Sequence, residues 1–230
     1  MNLSATSSND DGLAGGDAEM PIASAISNLT HDLANPLNAI AISTELAKRM
    51  LARGQSAEAI RALATVNAEC DRCTRLLRDA QDYFSLEMTE HSADVDLQEL
   101  LDDTVRRHAE RGVIEWRKSP RPHLVRGNPD ALCRLFHELL RNAFDHGAQR
   151  VELSVERESR ELRVRVGDDG PGIDPAALPR IFEPFYSTTR QRQSGIGLAV
   201  AQRIARAHGG EIGVEEAQRG AAFRVTLPAT

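Results

Sequence analysis

With 230 residues, of which 41% are hydrophobic and 27% are charged, the chain has the composition of an ordinary globular protein and enough length to bury a core. Its formal net charge of −6 argues against a protein that binds nucleic acid through phosphate contacts, because such a protein needs a broad basic surface. No stretch approaches the roughly 20 apolar residues of a membrane-spanning helix, and the polar, acidic N-terminus is unlike a signal peptide, so we expect a cytoplasmic protein without direct membrane insertion.

Residues 1–19 are rich in Ser, Gly, Asp and Asn without an apolar period, which predicts a disordered tail. From Pro21 to about Met50, apolar residues recur at three- or four-residue spacing, which predicts one long amphipathic helix. After a break at Gly54, the same period resumes from Ile60. Two long helices joined by so short a turn form an antiparallel hairpin. Because a lone hairpin cannot cover both apolar stripes, we expect a homodimer that forms a four-helix bundle.

Cys70 and Cys73 form a CxxC pair within the second helical pattern. No second pair of ligands with zinc-site spacing accompanies them, so we interpret both as small helix residues rather than metal or redox groups. Three cysteines cannot all be paired, and a reducing cytoplasm fits that number.

After Glu90 the pattern changes to short strands that alternate with helices. The predicted fold is therefore multi-domain: an all-α helical hairpin at residues 20–90, then an α+β sandwich domain at residues 91–230. The predicted strands are Val95–Leu97, Val113–Trp116, Leu124–Val125, Val151–Glu156, Leu162–Val166, Ile212–Val214 and Phe223–Leu227, and the predicted helices are Gln98–His108, Ala131–Asp145 and Leu198–Ala207.

The first helix contains His31, Asp32, Asn35 and Pro36 in close succession. Inside a helix a proline removes a hydrogen bond and costs ~3 kcal/mol, so Pro36 alone would suggest a helix break beside a surface histidine. Asn35 lies four residues after His31 and shares its face. The Asp32 carboxylate can orient the imidazole and accept its proton, which an imidazole nucleophile needs at neutral pH.

Two segments of the second domain carry carboxylates at positions suited to a nucleotide. Glu138 and Asn142 lie four apart on one helix face, where an oxygen pair can hold Mg²⁺, although an ordinary amphipathic helix would have the same pattern. Asp168 ends a strand and is followed by Gly170 and Gly172. Its carboxylate can accept a hydrogen bond from a base amino group while the glycines admit a flat ring, although a plain turn is the alternative.

Two further segments carry basic residues and glycines. The apolar segment Ile181–Tyr186 precedes a polar stretch with Arg190 and Arg192, which suits a mobile lid over phosphates or a solvated surface loop. Gly195 and Gly197 open a helix, where backbone N–H groups can face phosphate, although one such glycine pair is weak by itself.

These five ordered segments together resemble the conserved boxes of two-component sensor histidine kinases, over residues 22–230. The resemblance implies a HisKA-type dimerisation and phospho-acceptor hairpin, followed by an ATP-binding domain of the GHKL or Bergerat type. It implies that His31 is the phospho-acceptor and Asp32 its base, and that Asn35 positions a water when the enzyme dephosphorylates its response regulator.

The resemblance also implies that ATP and Mg²⁺ bind in the second domain. Asn142, with Glu138, would be the metal ligand, and Asp168 would hold the adenine amino group. Glu138 would also be catalytic, since related ATPases carry a base there. The implied nucleotide-binding residues are Asn142, Asp168, Gly170, Gly172, Arg190, Arg192, Gly195, Gly197 and Leu198.

Four positions depart from the family pattern. Glu138 stands where histidine kinases usually carry Asn, Asp145 where a basic residue is common, Gln193 where a glycine is usual, and Ala221 in place of a threonine. These changes could weaken ATP affinity or shift phosphate contacts to Arg190, Arg192 or Arg141.

The predicted function is ATP-dependent autophosphorylation of His31, followed by transfer to an Asp of a separate response regulator receiver domain. The stimulus would come from a separate sensory or upstream partner, and no nucleic acid is expected to bind. One alternative is a histidine phosphotransfer or docking protein with a weak or inactive ATP-binding domain. Another is a GHKL ATPase or protein-serine kinase, which would not need His31.

Overall fold

The computed structural model describes residues 16–85, 92–119, 121–187 and 194–230. Over these ranges the chain forms an antiparallel pair of long helices, α1 (Gly16–Ala52) and α2 (Ser56–Phe84), followed by a domain of strands and shorter helices. The elements of that second domain are β1 (Ala93–Asp96), α3 (Leu97–His108), β2 (Val113–Arg117), β3 (Leu124–Gly127), α4 (Pro129–Asp145), β4 (Arg150–Glu158), β5 (Glu161–Asp168), α5 (Gly197–Ala207), β6 (Glu211–Glu215) and β7 (Ala222–Pro228).

The helical hairpin predicted from the apolar spacing is confirmed. Helix α1 continues through Pro36, which is buried, so the packed hairpin tolerates the hydrogen bond that this proline removes. Small side chains are buried where the helices meet, and these are Ala47 on α1 with Ala59 and Ala62 on α2.

The N-terminal boundary of α1 differs from the prediction. The helix begins at Gly16, so residues 16–19, which the sequence places in the disordered tail, are helical. They show no apolar period, but once a helix has nucleated, each further residue adds a hydrogen bond. Residues 1–15 lie outside the described residues, as does the predicted end of the second helix at Met88.

Large apolar side chains of the hairpin remain exposed beside the contact between α1 and α2. On α2, Ile60 is 67% exposed, and three further apolar residues lie on a seven-residue repeat, in which Leu63, Leu77 and Phe84 are 45%, 51% and 42% exposed and Cys70 is exposed between Leu63 and Leu77. We call the four residues of this repeat the outer stripe of α2. A seven-residue apolar repeat is the pattern that a neighbouring helix of a bundle covers.

The second domain is built on a mixed five-stranded sheet in the order β2-β4-β5-β7-β6, beside a two-stranded β1–β3 ladder. Strands β2 and β4 are parallel, whereas the predicted β4–β5 hairpin is antiparallel. The predicted strands and helices of this domain are all present. The boundary between β1 and α3 differs from the prediction, since Leu97 begins α3 instead of ending β1. The reason is that the Asp96 side chain caps α3 by accepting a hydrogen bond from the Gln98 N–H at 2.9 Å.

The core lies between one face of the sheet and the helices. Alternate residues of β4 and β5 are buried, as the predicted period of two requires. Helix α4 begins at Pro129, two residues before the predicted Ala131, and Asn128 caps it by accepting hydrogen bonds from the N–H groups of Asp130 and Ala131 at 3.0 and 3.1 Å. The largest buried side chains of the core are Phe136, Leu97, Leu101, Leu132, Leu135, Leu139, Leu140, Leu153, Leu162, Ile204 and Leu227.

The hairpin packs on the second domain next to the segment Ile181–Tyr186. Asn28 Nδ2 donates a hydrogen bond to the Pro184 carbonyl at 3.0 Å, and Arg203 Nη1 donates to the Tyr83 carbonyl at 2.5 Å. The Tyr83 ring meets the Phe185 ring edge-on at 6.3 Å. Among the described residues, no helix combines the length and apolarity that crossing a membrane requires.

Candidate active site

A cavity of about 830 Å³ opens between α2, α4, the turn after β5 and the first turn of α5. This volume is in the range of small-molecule sites. Residues from three separate predicted segments line it, and they are Glu138, Asn142, Asp168, Gly172, Gly195, Gly197 and Leu198. The fold therefore brings together residues that lie up to 60 positions apart in the chain.

Asp168 is held in place by backbone donors. Its Oδ1 accepts hydrogen bonds from the N–H groups of Gly170 at 2.9 Å and of Ala221 at 3.2 Å. Its other oxygen, Oδ2, has no hydrogen-bond partner among the described residues, and Asp168 lines the cavity. The site thus presents a fixed carboxylate with one available acceptor. Gly170 is not part of the lining and acts here by orienting Asp168.

Gly220 is a site residue that the sequence reasoning missed. Its φ is +71°, and a Cβ there would lie 1.9 Å from the Asp168 carbonyl oxygen. A side chain at this position would therefore displace the end of β5 that carries Asp168. The available signal was a glycine two residues before the last strand, which is too common to select by itself.

Glu138 and Asn142 lie one turn apart on α4 and both line the cavity. Only 7% of the Glu138 surface is exposed. This burial raises the pKa of its carboxyl, and the Arg141 guanidinium opposes that change. Arg141 Nη2 lies 2.5 Å from Glu138 Oε2, but the pair is not aligned as a hydrogen bond. Glu138 Oε2 is therefore a buried acceptor without a hydrogen-bond partner among the described residues.

The N-terminus of α5 forms another wall of the cavity. Gly195 has a φ of +70°, and a Cβ there would lie 2.5 Å from the Tyr186 carbonyl oxygen, so this turn requires glycine. Gly197 begins α5, where backbone N–H groups and the positive end of the helix dipole favour an anion.

The segment Ile181–Tyr186 is the apolar anchor that the sequence predicts. Ile181 and Phe185 are buried, and Phe182 meets the Phe223 ring edge-on at 6.5 Å. Arg190, Arg192 and Gln193 lie outside the described residues, so the predicted lid and its phosphate contacts stay predictions.

Asp145, where the family pattern favours a basic residue, forms an ion pair with Arg111. The acidic side chain at this edge of the cavity is therefore neutralised by an arginine from the segment between α3 and β2.

His31 lies on α1, and its side chain is 61% exposed. Its Nδ1 is 3.3 Å from Asp32 Oδ1, so the predicted histidine–carboxylate pair is present. Asn35 is exposed one turn later. None of these three residues lines the cavity, so the structure does not bring the histidine–carboxylate pair to Asn142 and Asp168.

Helix α2 supplies a wall of the cavity that the sequence reasoning missed. Its lining residues follow the helical spacing of one face, and they are Arg72, Arg75, Leu76, Arg78 and Asp79. Charged residues at this spacing usually mark a solvated face, which is why the sequence alone did not distinguish them.

Two family models match the chain. The model described as "Histidine kinase-, DNA gyrase B-, and HSP90-like ATPase" matches residues 127–230, and the model described as "His Kinase A (phospho-acceptor) domain" matches residues 23–89. The first covers α4 to β7, with the cavity residues of the second domain. The second covers the hairpin with His31.

Similar proteins agree with these matches. The signal transduction histidine-protein kinase AfsQ2 of Streptomyces coelicolor is 40% identical over 131 residues, which cover 55% of this chain and 23% of that protein. The sensor protein QseC of Escherichia coli K12 is 32% identical over 204 residues, which cover 84% of this chain and 44% of QseC. The chain thus spans less than half the length of either relative.

A solved structure shares the fold across both parts of the chain. The histidine kinase ThkA, crystallised in complex with the response regulator protein TrrA, superposes with a TM-score of 0.66 over 94% of this chain and 62% of that one, at 21% identity.

Proposed function

The chain belongs to the sensor histidine kinases, and from this premise we propose that it transfers the γ-phosphoryl group of ATP to its own His31 and then to an aspartate of a response regulator. The observation that carries the proposal is the cavity in which Asn142, Asp168 and two loop glycines meet, in one chain with a histidine–carboxylate pair. A phosphotransfer protein without kinase activity would have no need of such a cavity.

In the proposed nucleotide site, Asp168 Oδ2 accepts a hydrogen bond from the adenine amino group. The backbone bonds to Oδ1 keep the carboxylate fixed, so little conformational entropy is lost on binding. Phosphate oxygens lie against the N–H groups at the start of α5. Apolar side chains beside Asp168, such as Ile173 and Phe223, face the base.

The donor set also fits a magnesium ion. Glu138 Oε2 is a buried acceptor without a hydrogen-bond partner, and the Asn142 side-chain oxygen can lie on the same face of α4. In the described residues no cluster of three or more His, Cys, Asp or Glu side chains could hold a metal. Two protein ligands suit Mg²⁺, which takes its others from phosphate and water and, when bound, neutralises charge on the phosphates.

His31 is the proposed nucleophile. Asp32 accepts a hydrogen bond from the Nδ1–H of the imidazole, which leaves the lone pair of Nε2 available. Nε2 forms the bond to the γ-phosphorus, the bond to the bridging oxygen of ADP breaks, and the Nδ1 proton is stabilised by the Asp32 carboxylate. Asn35, one turn further along α1, is proposed to position a water when the enzyme dephosphorylates its response regulator.

Phosphoryl transfer requires His31 to reach a bound nucleotide, and His31 does not line the cavity of its own chain. The two parts must therefore change their arrangement, or the cavity of a second copy must supply the nucleotide. Among the described residues, the polar contacts that hold the present arrangement are chiefly Asn28 with Pro184 and Arg203 with Tyr83.

A homodimer is proposed from the outer stripe of α2. Four residues at seven-residue intervals expose apolar surface, and burying it against a second hairpin contributes ~25 cal/mol per Å². Two hairpins then form the four-helix bundle that a single hairpin cannot complete.

The proposed partner is a response regulator receiver domain. The fold is shared with ThkA, which was crystallised with TrrA, and His31 is exposed on α1 where a second protein can reach it.

Two measurements test this function against its alternatives. Equilibrium binding of ATP in the presence of Mg²⁺ separates a kinase from a phosphotransfer protein, which would not bind it. Transfer of label from the phosphorylated chain to purified receiver domains tests the second step. Binding without transfer to any receiver domain would favour an ATPase.

A further inference from the structure

Helix α2 places a row of arginines in the proposed nucleotide cavity. Arg72, Arg75 and Arg78 line the same space as Asn142 and Asp168. Arg72 and Arg75 lie three residues apart, so they project from adjacent turns of the same helix face. Leu76, which is only 4% exposed, packs beside them and fixes this face toward the cavity.

These arginines are available to a ligand. Among the described residues, Arg75 and Arg78 have no ion-pair or hydrogen-bond partner, and Arg72 has only a long contact of 3.8 Å to Glu69. The other arginine of the lining, Arg141, already lies 2.5 Å from Glu138. The uncommitted positive charge of the described lining thus belongs to the hairpin and not to the ATPase domain.

The ATPase side of the cavity, by contrast, is rich in carboxylates. On that side, the acidic residues of the described lining are Glu138, Asp145, Asp168 and Asp174, of which Asp145 already pairs with Arg111, and Asp79 of α2 adds a further carboxylate. A triphosphate brings further negative charge into this space, and at short range in a partly buried site such charges repel strongly. Arginine compensates this best, because its planar guanidinium binds phosphate oxygens in a bidentate manner.

We propose that Arg72 and Arg75 of α2 bind the terminal phosphates of ATP, so that the hairpin completes the nucleotide site in this arrangement of the chain. The inference rests on the proposed function, since it assigns further ligands to the same nucleotide. It also accounts for Asp145, because the basic residue that the family pattern favours there is replaced by cations from α2. Bound ATP then links the two parts of the chain.

The test uses the full chain with Arg72 and Arg75 both replaced by Gln, which keeps side-chain length and helix propensity. Dissociation constants for ATP and for AMP are measured with Mg²⁺ by calorimetry. We expect ATP to bind at least tenfold more weakly to the variant, because charge-assisted hydrogen bonds are lost, while AMP binding changes by less than twofold. As the salt concentration rises, the ATP affinity of the wild type is also expected to fall more steeply than that of the double variant.

Arg61→Gln is the matched control on the same helix. Arg61 pairs with Glu58 at 3.2 Å and does not line the cavity, so both affinities are expected to stay at the wild-type level. Unchanged ATP binding in the double variant would overturn the inference, and so would an equal loss of ATP and AMP binding. A wild type that binds neither nucleotide would contradict the proposed function itself, and this inference with it.

Discussion

The N–H of Ala221, beside β7, donates a hydrogen bond to Asp168 Oδ1 at the end of β5, over 3.2 Å. The same two residues share a second hydrogen bond, in which the Asp168 N–H donates to the Ala221 carbonyl at 2.8 Å. Both contacts use the backbone of residue 221, so they do not depend on the threonine that the family pattern favours there. The carboxylate proposed to bind adenine is therefore positioned by the sheet itself.

Asp168→Asn is expected to weaken ATP binding by tenfold or more. The amide keeps one oxygen for the backbone donors of Gly170 and Ala221, but it then presents an NH₂ group to the adenine amino group. Two donors face each other, and a buried polar group without a partner costs about 1–3 kcal/mol. Calorimetric titration with ATP measures the effect, and the melting temperature reports whether the fold is kept.

Asp169→Asn is the matched control. Asp169 Oδ1 accepts hydrogen bonds from the N–H groups of Gln149 and Arg150, and these bonds lower the pKa of its carboxyl. It does not line the cavity, so the affinity for ATP is expected to stay within twofold of wild type. An equal loss of affinity in both variants would contradict the role assigned to Asp168.

Asp32→Asn is expected to slow autophosphorylation at least tenfold and to leave ATP affinity unchanged. The carboxylate lies 3.3 Å from His31 Nδ1, and general base assistance contributes ~10²–10⁴ in rate. A time course with labelled ATP at saturating concentration measures the rate. Asp71→Asn, an exposed carboxylate of α2, serves as the control and should phosphorylate at the wild-type rate. Autophosphorylation of Asp32→Asn at the wild-type rate would refute the role of Asp32 as the base.

Folding stability is expected to depend on pH through a buried histidine pair between α3 and α4. His108 Nε2 lies 3.0 Å from His137 Nδ1, and burial, with help from His137 and Arg111, lowers the pKa of His108 to about 4. Arg141 acts in the same direction and Asp145 opposes it. The unfolded chain takes up this proton near pH 6.5. The stabilisation is therefore complete above pH 6.5 and is lost as the pH falls toward 4.

The loss is expected to be on the order of 2 kcal/mol in the free energy of unfolding between pH 7 and pH 4.5. Urea titrations across this range measure it. His108→Gln removes the titrating group while keeping a polar side chain, so its stability profile should be flatter than that of the wild type. Parallel profiles for the two proteins would show that His108 does not carry the effect.

Leu63→Glu is expected to dissociate the proposed dimer. Leu63 belongs to the outer stripe of α2, and burying a charge in a helix bundle without a partner costs several kcal/mol. Light scattering coupled to gel filtration measures the mass in solution. Ala64→Glu, which adds the same charge at the next, exposed position, is expected to remain dimeric. A dimeric Leu63→Glu variant would place the interface elsewhere.

Local sequence signals predicted the fold well. The apolar period identified both helices of the hairpin, and alternation of apolar and polar residues identified β4 and β5. Boundaries were less accurate, since a capping contact such as Asp96 to Gln98 decides whether Leu97 ends a strand or begins a helix. The strand order could not be predicted, because pairing β2 parallel to β4 is a long-range choice.

Sequence reasoning selected residues that the structure places at the cavity where one segment carries its own chemistry, as at Asp168 and Gly195. Residues that enter the cavity only through the packing of the two domains were missed, and the arginines of α2 are the main example. Gly220 was missed for a related reason, because its need for glycine comes from the Asp168 backbone 52 residues earlier and not from its own neighbours.

Incubation of the full chain with γ-labelled ATP and Mg²⁺ tests the central claim most directly, with wild type and His31→Ala compared in parallel. Both proteins are expected to bind ATP equally, since His31 does not line the cavity. The wild type is expected to gain label that is stable to alkali and lost in acid, as a phosphohistidine is, and His31→Ala is expected to gain none. Label retained in His31→Ala, or absent from a wild type that binds ATP, would contradict the assignment of His31 as the phospho-acceptor.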